Sequence, residues 1–263
     1  MLSSESKSWS CGKCNSVLKD FSFVLPSRGE QEWLCKFLDS LERTTFNKDK
    51  IEVLIAVDPG RDDVFEFIKE QKYKFKIDIF ERKKTEDFTN NYYNWLANKS
   101  TGRHIWAFND DAWFKTDAWD KKILDVVSKT GWSIYFVDVL DTARLKYNNK
   151  FPCFPLVSRK AFCLLGWVLF PPVKMYPGDK WTHEIYHHAR RVIRVPNVVI
   201  EHEHTLEDTD PRKAEMMRIF RKQDFSNIDL GPSIHQLLSA CSTDFNKNKT
   251  KFKRILEIIK ENE

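Results

Sequence analysis

The stretch Ile105-Trp106-Ala107-Phe108-Asn109-Asp110-Asp111 decides how the chain is read. Four apolar residues lead directly into an amide and two carboxylates. A short apolar run without polar alternation suits a strand covered on both faces of a sheet. Adjacent acids at the end of such a strand are costly unless a cation or hydrogen-bond donors neutralise them. A hard divalent ion, Mg²⁺ or Mn²⁺, takes oxygen ligands and bridges carboxylates to substrate phosphates. Asp110 and Asp111 are therefore the first candidate metal ligands. Asn109 carries no charge, so the two acids must share that work.

The same punctuation recurs upstream. Residues 21–25 form an apolar strand stopped by Pro26-Ser27-Arg28-Gly29, and residues 51–57 form another closed by Asp58-Pro59-Gly60. Between them Trp33, Phe37, Leu38 and Leu41 recur at helical spacing. Further helices are expected over 62–71, 89–98 and 119–128, and strands over 75–80, 103–108 and 133–139. This alternation predicts an α/β fold with a mostly parallel central sheet flanked by helices. In such sheets ligands bind beyond the carboxyl ends of the strands. The clusters at Ser27-Arg28, Asp58 and Asn109-Asp110-Asp111 would converge on that rim.

The second half is less regular. Residues 151–172, rich in proline and aromatics, read as a strand, a turn and a loop over the site. A helix is expected from Gly178-Asp179 to about residue 191, then a strand over 194–200 ending in Glu201-His202-Glu203-His204. The two-residue period of a strand puts His202 and His204 on one side. The tail is expected to hold two more helices, the last over 251–261. The reading divides the chain into a polar leader (1–20), a main domain (21–205) and a basic helical extension (206–263).

Hydrophobic residues make up 41% and charged residues 31% of the 263, the balance of a globular protein rather than a disordered chain. The formal net charge is +5, and residues 211–263 hold 11 Lys/Arg against 7 Asp/Glu. That basic tail suits either a solvated helix or an anionic partner. No apolar run is long enough to span a bilayer, and the N-terminus lacks a signal-peptide core. A cytoplasmic location is expected, with the six cysteines mostly reduced.

With these residues in view, the chain resembles the GT-A glycosyltransferases of the family 2 kind over residues 21–205. Asn109-Asp110-Asp111 is similar to their DxD metal motif, in variant form. Phe23 through Arg28 resembles their first strand and nucleotide loop, which implies donor contacts from Pro26, Ser27 and Arg28. Asp58 resembles the acid that meets the base or ribose. Asn90 and Asn91 stand where the family has polar residues reaching toward the nucleotide. The resemblance further implies a nucleotide-sugar donor, a UDP-sugar first, with Asp110 touching both metal and donor. His202, or second His204, would complete the metal shell, and imidazole tilts the choice toward Mn²⁺ over Mg²⁺. Asp179, with Glu184 behind it, stands where the family carries the general base for an acceptor hydroxyl. A helix N-cap is the simpler alternative for Asp179. The acceptor stays open among glycan, protein, small molecule and modified DNA.

Two other readings compete. His183-Glu184-Ile185-Tyr186-His187 fits HExxH, which on a helix would put two zinc ligands and a base on one face of a metallopeptidase. It leaves the acidic rim unexplained. The chain could alternatively be a non-catalytic relative that binds sugar or nucleic acid, an option that Asn109 keeps open.

Overall fold

The computed structural model describes residues 18–147, 151–175, 177–203 and 228–241, together with residues 218, 222, 223 and 225. Among these residues eight strands form one sheet: β1 (Lys19–Ser27), β2 (Ile51–Val57), β3 (Lys76–Glu81), β4 (Gly102–Ala107), β5 (Ala112–Phe114), β6 (Phe136–Asp141), β7 (Leu156–Ser158) and β8 (Val192–His202). Their order across the sheet is β3-β2-β1-β4-β7-β6-β8-β5. The pairs β1–β2, β1–β4, β2–β3 and β6–β8 are parallel, whereas β7 and β5 run antiparallel to their neighbours. The carboxyl ends of β1, β2, β4, β6 and β8 therefore share one rim.

Period-two burial builds a core on each face. Phe21, Phe23, Leu25, Val53, Ile55 and Trp106 pack toward α1 (Gln31–Thr44), α2 (Asp62–Glu70) and α4 (Trp119–Thr130). Val24, Leu54, Ala56, Ile105 and Ala107 pack the opposite way. That second face is covered by a π-helical turn (Thr89–Asn94) running into α3 (Trp95–Ala97), and by α6 (Arg159–Leu165), α7 (Gly178–His188) and α8 (Gly231–Ala240). A short α5 (Thr142–Tyr147) follows β6.

The α/β class and the alternating first half match the sequence reading, with informative differences. β1 continues through Pro26 to Ser27. Phe108 N–H donates to Val24 O at 3.0 Å, so Pro26, two residues on, faces the side where β4 has already ended, and its missing N–H costs no ladder bond. The expected strand over 133–139 begins at Phe136 and ends in Asp141. β8 is longer than expected because its pairing jumps: Val139 faces Val195, but Leu140 faces Val199. This bulge absorbs Pro196 and carries the strand on to His202. β5, α5 and α6 were not anticipated. Residues 1–17 of the expected leader and the expected helix over 251–261 lie outside the described residues, and Lys19 and Asp20, assigned to the leader, instead begin β1. Of the C-terminal extension, α8 docks on the second face through Ile234 and Leu237, with Gln236 Nε2 donating to Leu164 O at 2.7 Å.

Candidate active site

A cleft of about 350 Å³ opens along the shared rim. Its lining includes the expected Pro26, Ser27, Arg28, Asp58, Asp110, Asp111, Asp179 and His202. Each arrives at the end of an element. Ser27 closes β1, Asp58 follows β2, Asp110 and Asp111 turn the chain from β4 into β5, His202 closes β8, and Asp179 lies in the first turn of α7.

The contacts fix these groups in place. Ser27 Oγ donates to Asp110 Oδ2 at 2.5 Å and accepts from the Gly29 N–H at 2.9 Å. Asp58 Oδ1 accepts from the Tyr92 hydroxyl at 3.0 Å. Asn109 Oδ1 accepts from the Tyr93 hydroxyl at 2.5 Å. The antiparallel register sets Ala112 opposite His202, and the Glu203 N–H donates to Asp111 O at 3.1 Å. His202 Nε2 thereby comes 3.6 Å from Asp111 Oδ1, an oxygen that is enclosed yet has no hydrogen-bond partner. Two residues 91 positions apart in sequence become neighbours only through this strand pairing.

The electrostatics are those of a crowded acidic cleft. Glu30, Asp58, Asp110, Asp111, Asp179 and Glu203 line it, against the cationic side chains of Arg28 and Lys84. Burial pushes the Asp110 carboxyl up to about 7, against the pull of the Ser27 hydrogen bond and with the Asp111 charge adding to the rise. Burial likewise pushes Asp179 up to about 7, although the Lys180 N–H bonded to its Oδ1 at 2.8 Å favours the ionised form. Burial, and then the charges of Asp111 and Asp110, hold the Tyr93 phenol well above its ordinary range, so it stays a donor. Gathered carboxylates with an enclosed, unpaired oxygen form a set that a hard divalent cation would satisfy.

Other expected residues lie elsewhere. Asn90 Nδ2 donates to the Asp87 carboxylate and to Pro171 O at 3.0 Å, and Asn91 Nδ2 donates to Thr85 Oγ1 at 3.1 Å. Both tie down the loop before the helix, and neither is among the lining side chains. The cause is the π-helical turn, whose wider winding rotates side chains away from the positions a regular helix gives them. Tyr92 and Tyr93 face the cleft instead. Glu184 does not line it and lies 3.6 Å from His188 Nε2. His183 packs edge-on to Phe136 and stacks on His187 with ring centroids 5.6 Å apart. Burial pulls His183 down to about 4, which makes it neutral, and neither histidine lines the cleft. His204 lies outside the described residues.

Reading the sequence also missed Asp141, Cys153, Trp33 and Tyr93. Asp141 carried a partial signal, because Phe136-Val137-Asp138-Val139-Leu140-Asp141 ends in an acid as the rim strands do, although Asp138 interrupts its apolar run. Cys153 carried none. It reaches the rim on the loop before β7, and its N–H donates to Asp141 Oδ2 at 3.3 Å.

The sequence profile of glycosyl transferase family 2 matches residues 22–163, more than half of the chain. The chain belongs to that family. Among solved structures, residues 1–349 of S. aureus TarS in complex with UDP are similar over 86% of this chain and 72% of that one, at 11% identity and a TM-score of 0.56. The mannosyltransferase PcManGT of Pyrobaculum calidifontis, in complex with GDP-Man and Mn²⁺, is similar over 86% of this chain and 78% of its own, at 14% identity and a TM-score of 0.53. GalNAc-T7 with UDP, GalNAc and Mn²⁺ matches over 78% of this chain and 48% of its own, at 13% identity and a TM-score of 0.50. At these identities the likeness establishes the GT-A fold. No curated protein matches the sequence. Among the described residues no helix is long and apolar enough to cross a membrane.

Proposed function

We propose that this family 2 glycosyltransferase moves a sugar from a nucleotide-sugar donor, a UDP-sugar, to a hydroxyl acceptor, with Mn²⁺ or Mg²⁺ held by Asp110, Asp111 and His202. The observation that carries this reading is the pairing of the enclosed Asp111 Oδ1 with His202 Nε2, 3.6 Å apart at the floor of the cleft. Carboxylate oxygens with one imidazole form a donor set suited to Mn²⁺. When bound, the cation supplies charge neutralisation for the donor diphosphate and the departing nucleotide. That UDP occupies TarS, and that nucleotide or nucleotide-sugar and Mn²⁺ occupy PcManGT and GalNAc-T7, supports the same assignment.

The chain's own residues divide the remaining work. Ser27 holds the Asp110 carboxylate in one orientation, so that it is preset for its ligand. Tyr92 occupies Asp58 Oδ1, leaving Oδ2 to accept from the nucleoside. Asp179, which lines the same cleft, serves as the base. Raised to about 7, it is matched to neutral pH, and it takes the acceptor hydroxyl proton as that oxygen bonds to the anomeric carbon and the nucleotide leaves. Phe88, Phe151 and Met175 give the cleft an apolar wall that limits water as a competing acceptor.

A thermal-shift panel of UDP-, GDP- and dTDP-sugars with Mn²⁺, Mg²⁺ or EDTA tests the reading. A ligand at a hundredfold excess over its Kd stabilises by about 2.7 kcal/mol. A Mn²⁺-dependent shift with UDP-sugars, lost in Asp111→Ala, is expected. Equal shifts in EDTA would overturn the metal assignment.

A further inference from the structure

Asp141, Cys153 and His202 bring a carboxylate oxygen, a thiol sulfur and an imidazole nitrogen within 4.8 Å of one another. Among the described residues no other group of three His, Cys, Asp or Glu does so. We propose that these residues form a second metal site, selective for a borderline, thiophilic ion of the Zn²⁺ class and distinct from the oxygen-rich site of Asp110 and Asp111. The binding claim does not rest on the transferase reading.

The site is built into the sheet. Parallel pairing sets Asp141 opposite Ile200, so His202 emerges two residues past the last paired position of β6. The His202 N–H donates to Thr142 Oγ1 at 3.0 Å, which ties it to the residue after Asp141. Asp141 is 1% exposed and accepts backbone N–H bonds from Arg144 at 2.8 Å and Cys153 at 3.3 Å. The second bond also fixes the Cys153 backbone against the carboxylate. Cys153 forms no disulfide and lines the cleft, which gives an ion a way in. Asp141 and His202 close strands of one sheet, and Cys153, on the loop before β7, is tied to that carboxylate through its N–H; such bonds preorganise ligands.

The donor set selects the ion. Zinc accepts mixed S, N and O ligands tetrahedrally at about 2.0–2.3 Å, which puts ligand atoms about 3.5 Å apart. The present spread exceeds that by about an ångström, within the reach of side-chain rotation. Mg²⁺ rejects a thiolate, and Mn²⁺ gains little from one. Binding displaces the thiol proton to solvent. One carboxylate and one thiolate then balance the 2+ charge, and three protein ligands leave a fourth position for water. His202 cannot serve both sites at once, so a zinc-class ion here withdraws the imidazole from Asp111.

Co²⁺ reports a thiolate ligand through a sulfur-to-metal charge-transfer band in the near ultraviolet. The experiment uses the full-length chain carrying Cys11→Ser and Cys14→Ser, because Cys11-x-x-Cys14 could give a band of its own. Titration with Co²⁺ is expected to raise the band to saturation at one ion per chain, and Zn²⁺ to bleach it. Cys153→Ser should abolish it, and Asp141→Asn should weaken Co²⁺ binding at least tenfold. Asp111→Ala should leave the band intact while losing the Mn²⁺-dependent donor response, so the two claims fail separately. No band, or a band that survives Cys153→Ser, would overturn the proposal.

Discussion

Replacing Asp110 by asparagine should stabilise the metal-free protein, and by an amount that grows with pH. The carboxyl sits at about 7 in the folded chain against an ordinary 3.8, raised chiefly by burial. Below pH ~4 it is protonated in both folded and unfolded chains and carries no penalty. As the pH climbs from there toward 7, the unfolded chain ionises first, and folding must then take up a proton or bury a charge. The full gap corresponds to about 4 kcal/mol, reached above pH ~7. Solvent at the open mouth of the cleft reduces this to roughly 2–4 kcal/mol. The amide of Asp110→Asn keeps an acceptor for Ser27, so the hydrogen bond is not lost with the charge. Urea denaturation in EDTA at pH 5 and pH 8 measures the effect. The advantage of Asp110→Asn should be larger at pH 8 by about 2 kcal/mol, and Mn²⁺ should close the gap by stabilising the wild type alone. An equal advantage at both pH values would refute the claim that a strained, ionising acid lies at the cleft floor.

Asp179→Asn should lower kcat by a factor on the order of 10²–10⁴ with the donor KM little changed. In the wild type, kcat/KM should fall about tenfold per unit as the pH drops below about 7, where Asp179 takes up its proton, and level off above it; a profile flat between pH 5 and 8 would remove Asp179 as the base. Tyr92→Phe releases Asp58 Oδ1 from its 3.0 Å hydrogen bond. It should raise the donor KM up to about tenfold, the worth of one hydrogen bond, which initial-rate kinetics against donor concentration would read.

Much of the rim was legible because it is written locally. β1, β2 and β4 are mostly apolar along their buried lengths, interrupted by residues such as Ser22, Glu52 and His104, and each stops at polar residues that the fold carries to the same edge. What sequence could not give was pairing across distance. The meeting of Asp111 with His202 depends on three residues of β5 lying antiparallel on β8, and on a bulge that absorbs Pro196. Neither leaves a periodic trace. Asn90 and Asn91 leave the cleft for a different reason: a regular helix has a period of 3.6, but here the chain winds as a π turn, and Tyr92 and Tyr93 take the cleft-facing positions. The HExxH string shows the converse. His183 and His187 do share a helix face, as their spacing requires, but that face packs on Phe136 and lies off the cleft.

The central claim is that Asp111 and His202 hold a cation that makes a nucleotide-sugar reactive. The most direct test is release of nucleotide from a UDP-sugar without acceptor, followed by chromatography, for wild type and Asp111→Ala with Mn²⁺ or EDTA. The account predicts slow, steady UDP release by the wild type with Mn²⁺, and background rates in EDTA and in the variant. Release that is indifferent to both Mn²⁺ and Asp111 would contradict it.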